Sequence, residues 1–281
     1  MVKKILKNLA RVLVYGFAIV GFAFVAMYFA VKWHWTDVEG IIDEQTEFFR
    51  QSGQTASANS ALGFTATSSP TWAQGEEWQV FSNAVRKDAV ALNKAAAEAG
   101  VSPRLIMSAL AVEQLRLFFS QREVYKEVFA PLKILGDQSQ FSWGVMGIKP
   151  DTAKAIEEHL KDSASPYYLG VQYENLLDFK TADRDSERFE RIVNEREHYY
   201  SYLYAGLYIK QLITQWKNAG IDISQRPEIV GTLFNIGFTN SNPNPEPKSG
   251  GAEIEIGTTT YSFGLLAGEI YNSKELSEFA K

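Results

Sequence analysis

The chain has 281 residues, 46% of them hydrophobic and 13% aromatic, enough apolar material for one large or two modest folded domains. It has no cysteine, which excludes disulfides, thiolate metal sites, a cysteine nucleophile and a cysteine-borne lipid anchor. The formal charge is −5, and no Lys/Arg cluster emerges that could track phosphates, so nucleic acid is not an expected partner.

The first long segment, Val12 to Val31, is uncharged and almost wholly apolar. At ~1.5 Å per residue a helix of that length crosses the ~30 Å hydrocarbon layer. Lys3, Lys4, Lys7 and Arg11 precede it, and all 33 acids follow it, against 24 of the 28 basic residues. The positive-inside bias then predicts a single-pass membrane anchor, with a cytoplasmic N-terminus and everything after Lys32 outside. A cleaved signal peptide is the rival, but its apolar core is usually only ~7–15 residues, and Phe24-Val25-Ala26 or Tyr28-Phe29-Ala30 makes a poor cleavage site. The expected organisation is a basic segment (1–11), an anchor (12–32), a juxtamembrane helix with a flexible linker (33–75) and a folded domain (76–281).

Thr36 to Arg50 reads as a short amphipathic helix, and Gln51 to Gln74 is a tether rich in Ser, Thr, Ala and Gly. Glu76 to Ala99 is an apolar-periodic helix ending at Gly100, a suitable C-terminal cap. The next helix has Ser102 as N-cap and Pro103 in its first position. Along it Ile106, Ala109, Leu110, Glu113 and Leu117 recur at helical spacing, so one stripe carries an acid among aliphatic groups. Lost hydration disfavours a charged carboxylate, and this is how a general acid is kept protonated near neutral pH. A structural glutamate paired with a buried arginine or with helix amides is the alternative.

Gln121 to Gln140 is mixed and suggests an inserted lobe. In Ser142-Trp143-Gly144-Val145-Met146-Gly147 the two glycines permit a tight turn or close backbone approach to a ligand. Pro150 then opens a helix over Asp151 to Leu160. The charge run of Asp178 to Glu197 reads as a solvated helix face or excursion. His198 to Lys217 is a strong helix, with Tyr202, Gly206, Ile209, Ile213 and Trp216 on one face. A short helix over Ile229 to Phe234 ends at Asn235, which either caps it or holds a ligand. Asn240 to Gly251 is a loop, Ala252 to Phe263 alternates like a hairpin around Gly257-Thr258, and helix resumes from Gly264. The three histidines, His34, His159 and His198, have no ligand spacing, so no metal or other cofactor is expected. No G-x-S-x-G elbow marks a serine nucleophile.

Four of these segments, in order, resemble the goose-type lysozyme and soluble lytic transglycosylase superfamily. They are Gly100-Val101-Ser102-Pro103-Arg104-Leu105-Ile106 leading to Glu113, Gly144-Val145-Met146 through Ile148-Lys149-Pro150-Asp151-Thr152-Ala153, Ala205-Gly206-Leu207-Tyr208-Ile209-Lys210-Gln211-Leu212, and Phe234-Asn235-Ile236-Gly237. The chain departs from the family pattern in Gln114 for Ser, Gly147 for Gln and Phe234 for Tyr, and in a longer spacing from Glu113 to Gly144. The resemblance implies a mainly α, lysozyme-like helical domain with a small β-hairpin, preceded by one transmembrane helix. It implies a peptidoglycan strand as substrate, cut between N-acetylmuramic acid and N-acetylglucosamine with Glu113 as sole catalytic carboxylate. Ser142, Gly144, Met146 and Gly147 would line the sugar cleft, Asn235 would meet an acetamido group or orient Glu113, and Tyr199, Tyr202 or Tyr261 would offer rings or hydroxyls. Two-carboxylate hydrolysis needs a partner acid, and Glu123, Glu127 and Asp137 fall within the suggested insertion. A degenerate relative that binds glycan or scaffolds an envelope complex, motivated by Gln114 and Gly147, is the contrasting expectation, and a lysozyme-type hydrolase is the third.

Overall fold

The computed structural model describes residues 70–119, 144–194 and 197–279. The predicted anchor, juxtamembrane helix, inserted lobe and Ser142 lie outside the described residues. Among the described residues the chain is mainly helical, with eight α-helices and one two-stranded antiparallel sheet. No helix among them is long and apolar enough to cross a membrane.

The stretch predicted as one helix over 76–99 is two, α1 (Glu76–Lys87) and α2 (Ala89–Ala99), divided at Asp88. Asp88 is a poor helix former whose carboxylate is drawn to a distant element. It accepts from Tyr202 Oη at 2.6 Å and pairs with His198 Nδ1 at 2.5 Å. Gly100 ends α2 at φ 68°, the left-handed cap its position predicted.

Helix α3 (Pro103–Phe119) is the centre of the fold. Ser102 accepts the Arg104 N–H at 3.1 Å, as an N-cap should. Ile106, Met107, Leu110, Ala111, Val112 and Leu115 are all buried and point in every direction around the axis. The single apolar stripe expected here is therefore too narrow a description: buried residues face all round α3, which contacts α1, α2, the hairpin and the last three helices. Arg104 is buried with it, 1% exposed, and its guanidinium donates to five carbonyls, those of Ile270, Tyr271, Ser273, Glu275 and Leu276, at 2.6–3.1 Å.

After α3 come α4 (Pro150–Lys161), α5 (Arg184–Val193), α6 (Tyr199–Asn218) and α7 (Pro227–Ile236). The α5 region, expected to be solvated, is only partly so. Arg188 and Arg191 are buried: Arg188 is bidentate to Glu157 of α4 at 2.6 Å, and Arg191 donates to the carbonyls of Leu177 and Asp178. Glu157 also accepts from Tyr204 Oη at 2.6 Å, so these charges are compensated inside the protein.

The hairpin pairs β1 (Glu253–Ile256) with β2 (Thr259–Ser262) around Gly257-Thr258, with Ile254 and Ile256 turned inward and Glu253 and Glu255 outward. Helix α8 (Phe263–Asn272) follows and crosses α7 closely. At the crossing a Cβ on Gly264 would stand 2.0 Å from Thr232 Oγ1, so only glycine fits. One boundary shifts. Trp72, expected in the linker, is 1% exposed, lies 4.7 Å from Trp78 ring to ring, and donates Nε1–H to Glu269 of α8.

Candidate functional site

Glu113 lies in the second half of α3, 4% exposed. The chain returns beside it at Gly144–Gly147, a turn closed by the Gly147 N–H to Gly144 carbonyl bond at 3.2 Å. Both glycines have positive φ, 63° and 62°, and a Cβ on Gly147 would sit 3.2 Å from Glu113 Oε2. Two segments separated by more than thirty positions thus meet at one carboxylate. Gln114, which stands where the resembled pattern has Ser, anchors the turn, because its Nε2 donates to the Val145 carbonyl at 2.7 Å.

The premise of an acid with only aliphatic neighbours does not hold. Arg116, one turn further along α3, donates Nη2–H to Glu113 Oε2 at 2.8 Å; the side chains are 26% and 5% exposed. The Glu113 carboxylate therefore meets a guanidinium as well as the aliphatic groups of α3. The i,i+3 spacing of Glu113 and Arg116 was the signal that could have revealed the pair. Two polar atoms nearby are buried without a hydrogen-bond partner, Arg116 Nε and Ser201 Oγ. Ser201 belongs to the first turn of α6 and is fully buried, and a Cβ on Gly144 would come within 2.9 Å of its Oγ.

The other anticipated contacts distribute differently. Gly144 is exposed at the surface of the turn, but Met146 is fully buried, so its side chain belongs to the core and not to a cleft. Asn235 is half-buried and its Oδ1 accepts the Ala252 N–H at 2.8 Å, tying α7 to the hairpin. Tyr199 donates to Glu98 and carries Lys94 Nζ 4.4 Å above its ring. Burial and the Glu98 hydrogen bond push its phenol well above the ordinary value. Tyr202 is a core residue bonded to Asp88. Tyr261 sits on β2, its phenol raised by burial and by the Glu269 charge against hydrogen bonds with Thr71 and Thr259. The hydrogen bonds of Asn235 and Tyr199 described here go to Ala252 and Glu98.

A groove of about 460 Å3 opens at the other end of α3, lined by Gly100, Ser102, Lys210, Ser224, Gln225 and Asn272. It lies roughly 15 Å along the helix axis from Glu113, so it is not the cleft anticipated around that residue. Lys210 Nζ there already donates to the Gly100 carbonyl at 3.1 Å. No family model matches the chain, and no curated protein or solved structure matches it.

Proposed function

We propose that the chain is a membrane-anchored peptidoglycan lytic transglycosylase with a lysozyme-like fold, held by its N-terminal helix at the inner membrane with the catalytic domain outside. Glu113 protonates the oxygen leaving between N-acetylmuramic acid and N-acetylglucosamine. The resulting carboxylate then takes the proton of the muramyl C6 hydroxyl, whose oxygen attacks C1 to give a 1,6-anhydro end. The proton given in the first step is recovered in the second, so one carboxylate serves both. No metal or cofactor enters.

The observation that carries this reading is the meeting of Glu113 with the Gly144–Gly147 turn, 3.2 Å from carboxylate oxygen to the Cβ position of Gly147. It supports the family assignment because the two motifs have no reason in local sequence to share a site. The deciding experiment is incubation of the protein with purified peptidoglycan. Anhydro-muropeptides that appear with the native chain and vanish with Glu113→Gln establish the activity; products with free reducing ends make it a lysozyme-type hydrolase instead.

A second reading has specific support in the Glu113–Arg116 pair and in the engagement of Asn235 with the backbone. In it the chain is a degenerate relative that binds glycan or scaffolds an envelope complex without cutting. Retained binding to the wall with no soluble product identifies it.

A further inference from the structure

Two consecutive residues of α3 meet the same turn. Glu113 faces Gly147, whose Cβ position lies 3.2 Å from its Oε2, and Gln114 donates Nε2–H to the Val145 carbonyl at 2.7 Å. The turn is held at other points as well. Met146 and Ile148 are buried in the core, and the Gly147 N–H closes the turn on the Gly144 carbonyl. A Cβ on Gly144 would collide with the Ile192 carbonyl oxygen, so that end is pressed against the last turn of α5. Gly147 has no side chain with which to fasten the turn to α3, and Gln114 supplies that tie from the helix.

Length matters to the tie. Serine, the residue of the resembled pattern at 114, ends one atom beyond Cβ and stops short of a carbonyl that glutamine reaches with its terminal amide. Both departures from that pattern, Gln114 and Gly147, therefore bear on one turn. Packed interiors pass small displacements to their neighbours. A turn displaced at Val145 moves Gly147, and Gly147 lies against the carboxylate.

We propose that Gln114 is a positioning residue: its hydrogen bond to the Val145 carbonyl clamps the Gly144–Gly147 turn against Glu113 and sets where that carboxylate stands. The inference rests on the glycan-cleaving reading and deepens it, because Gln114 and Gly147 become partners in one arrangement instead of two losses. Gln114 touches no reacting atom in this scheme. It acts through the turn.

The test has two arms, both on the full chain. The first compares release of anhydro-muropeptides by the native chain, by Gln114→Met, which keeps the length and removes the donor, and by Gln114→Ser. Both variants are expected to lose about 10- to 100-fold in kcat, the scale of a ~1 Å misplacement. KM and the helix content by circular dichroism stay unchanged. A Gln114→Ser chain as fast as the native one overturns the proposal. So does a raised KM at unchanged kcat, which makes Gln114 a ligand contact instead. The second arm needs no activity. Hydrogen exchange at the Gly147 N–H, read by NMR with glycine-selective labelling, is expected to be about 2- to 10-fold faster in Gln114→Met, the net worth of one hydrogen bond. Unchanged exchange overturns the clamp. If neither variant folds, the native chain decides: its Gln114 carboxamide protons exchange more slowly than those of the exposed Gln225, and equal rates overturn the proposal. A native chain that releases no product overturns the glycan-cleaving reading, and the exchange arm then decides the clamp by itself.

Discussion

Gly147 lays its bare α-carbon against the carboxylate of Glu113, so close that a methyl group there would stand 3.2 Å from Oε2. The backbone at that point has φ 62°, a left-handed conformation that costs an L-residue about 1–2 kcal/mol. Gly147→Ala is therefore expected to lose about that much stability in urea unfolding and to displace Glu113 by a few tenths of an ångström. Glutamine, the residue of the transglycosylase pattern at this position, meets the same backbone strain. An unchanged unfolding midpoint for both variants would mean the turn reshapes at no cost.

Arg104 is a fixed cation of the core. Its five carbonyl acceptors leave no role for a smaller or apolar substitute. Arg104→Met strands buried carbonyls and is expected to cost at least about 3 kcal/mol. Arg104→Lys keeps the charge but cannot address five acceptors with a point ammonium, and should recover only part of the loss. Urea titrations of the two variants check this, and a loss under about 1 kcal/mol in either contradicts it.

Glu187 confers acid sensitivity. Burial works to raise its carboxyl, but N–H donation from Lys180, hydroxyl and N–H donation from Thr181 and the Arg191 charge outweigh burial and bring it down to about 2 from 4.5. A carboxyl depressed on folding contributes stability that is present above its unfolded value and lost as pH falls through the folded one. The native chain should therefore exceed Glu187→Gln in urea resistance near neutral pH. The gap should close between pH ~4.5 and about 2. A gap independent of pH would assign the role of Glu187 to shape instead of charge.

Glu269 has the opposite sign. Burial raises its carboxyl, and the Trp72 Nε1–H donated at 3.1 Å only partly opposes that. A raised carboxyl contributes stability below the ordinary carboxylate range and loses it as pH climbs through the folded value. Glu269→Gln still accepts from Trp72, so the variant is expected to gain on the native chain as pH rises towards neutrality. Thermal unfolding across that range measures it, and a variant equally or less stable throughout counts against the argument.

Elements governed by neighbours in the chain were legible. Alternation over 252–263 with Gly257-Thr258 marked the hairpin, and Gly100, Ser102 and Pro103 marked where one helix stops and the next begins. Elements governed by distant partners were not. The break at Asp88 depends on His198 and Tyr202, more than a hundred residues away, and the burial of Trp72 depends on Glu269, 197 residues on. Arg188 looks like a surface charge until α4 supplies Glu157. At the candidate site the meeting of Glu113 with the glycine turn followed the motif order. The Arg116 pair was within reach of sequence alone, since helix geometry makes residues three apart neighbours.

The carbonyls that satisfy Arg104 come from positions 166 to 172 residues downstream of it. During synthesis the central helix is made early, but its cation has no acceptors until residues past 276 have left the ribosome. Such long-range closure slows folding relative to locally wired helical bundles. The nascent chain therefore carries α3 without these acceptors until that downstream segment is made, a wait that a holding chaperone would cover.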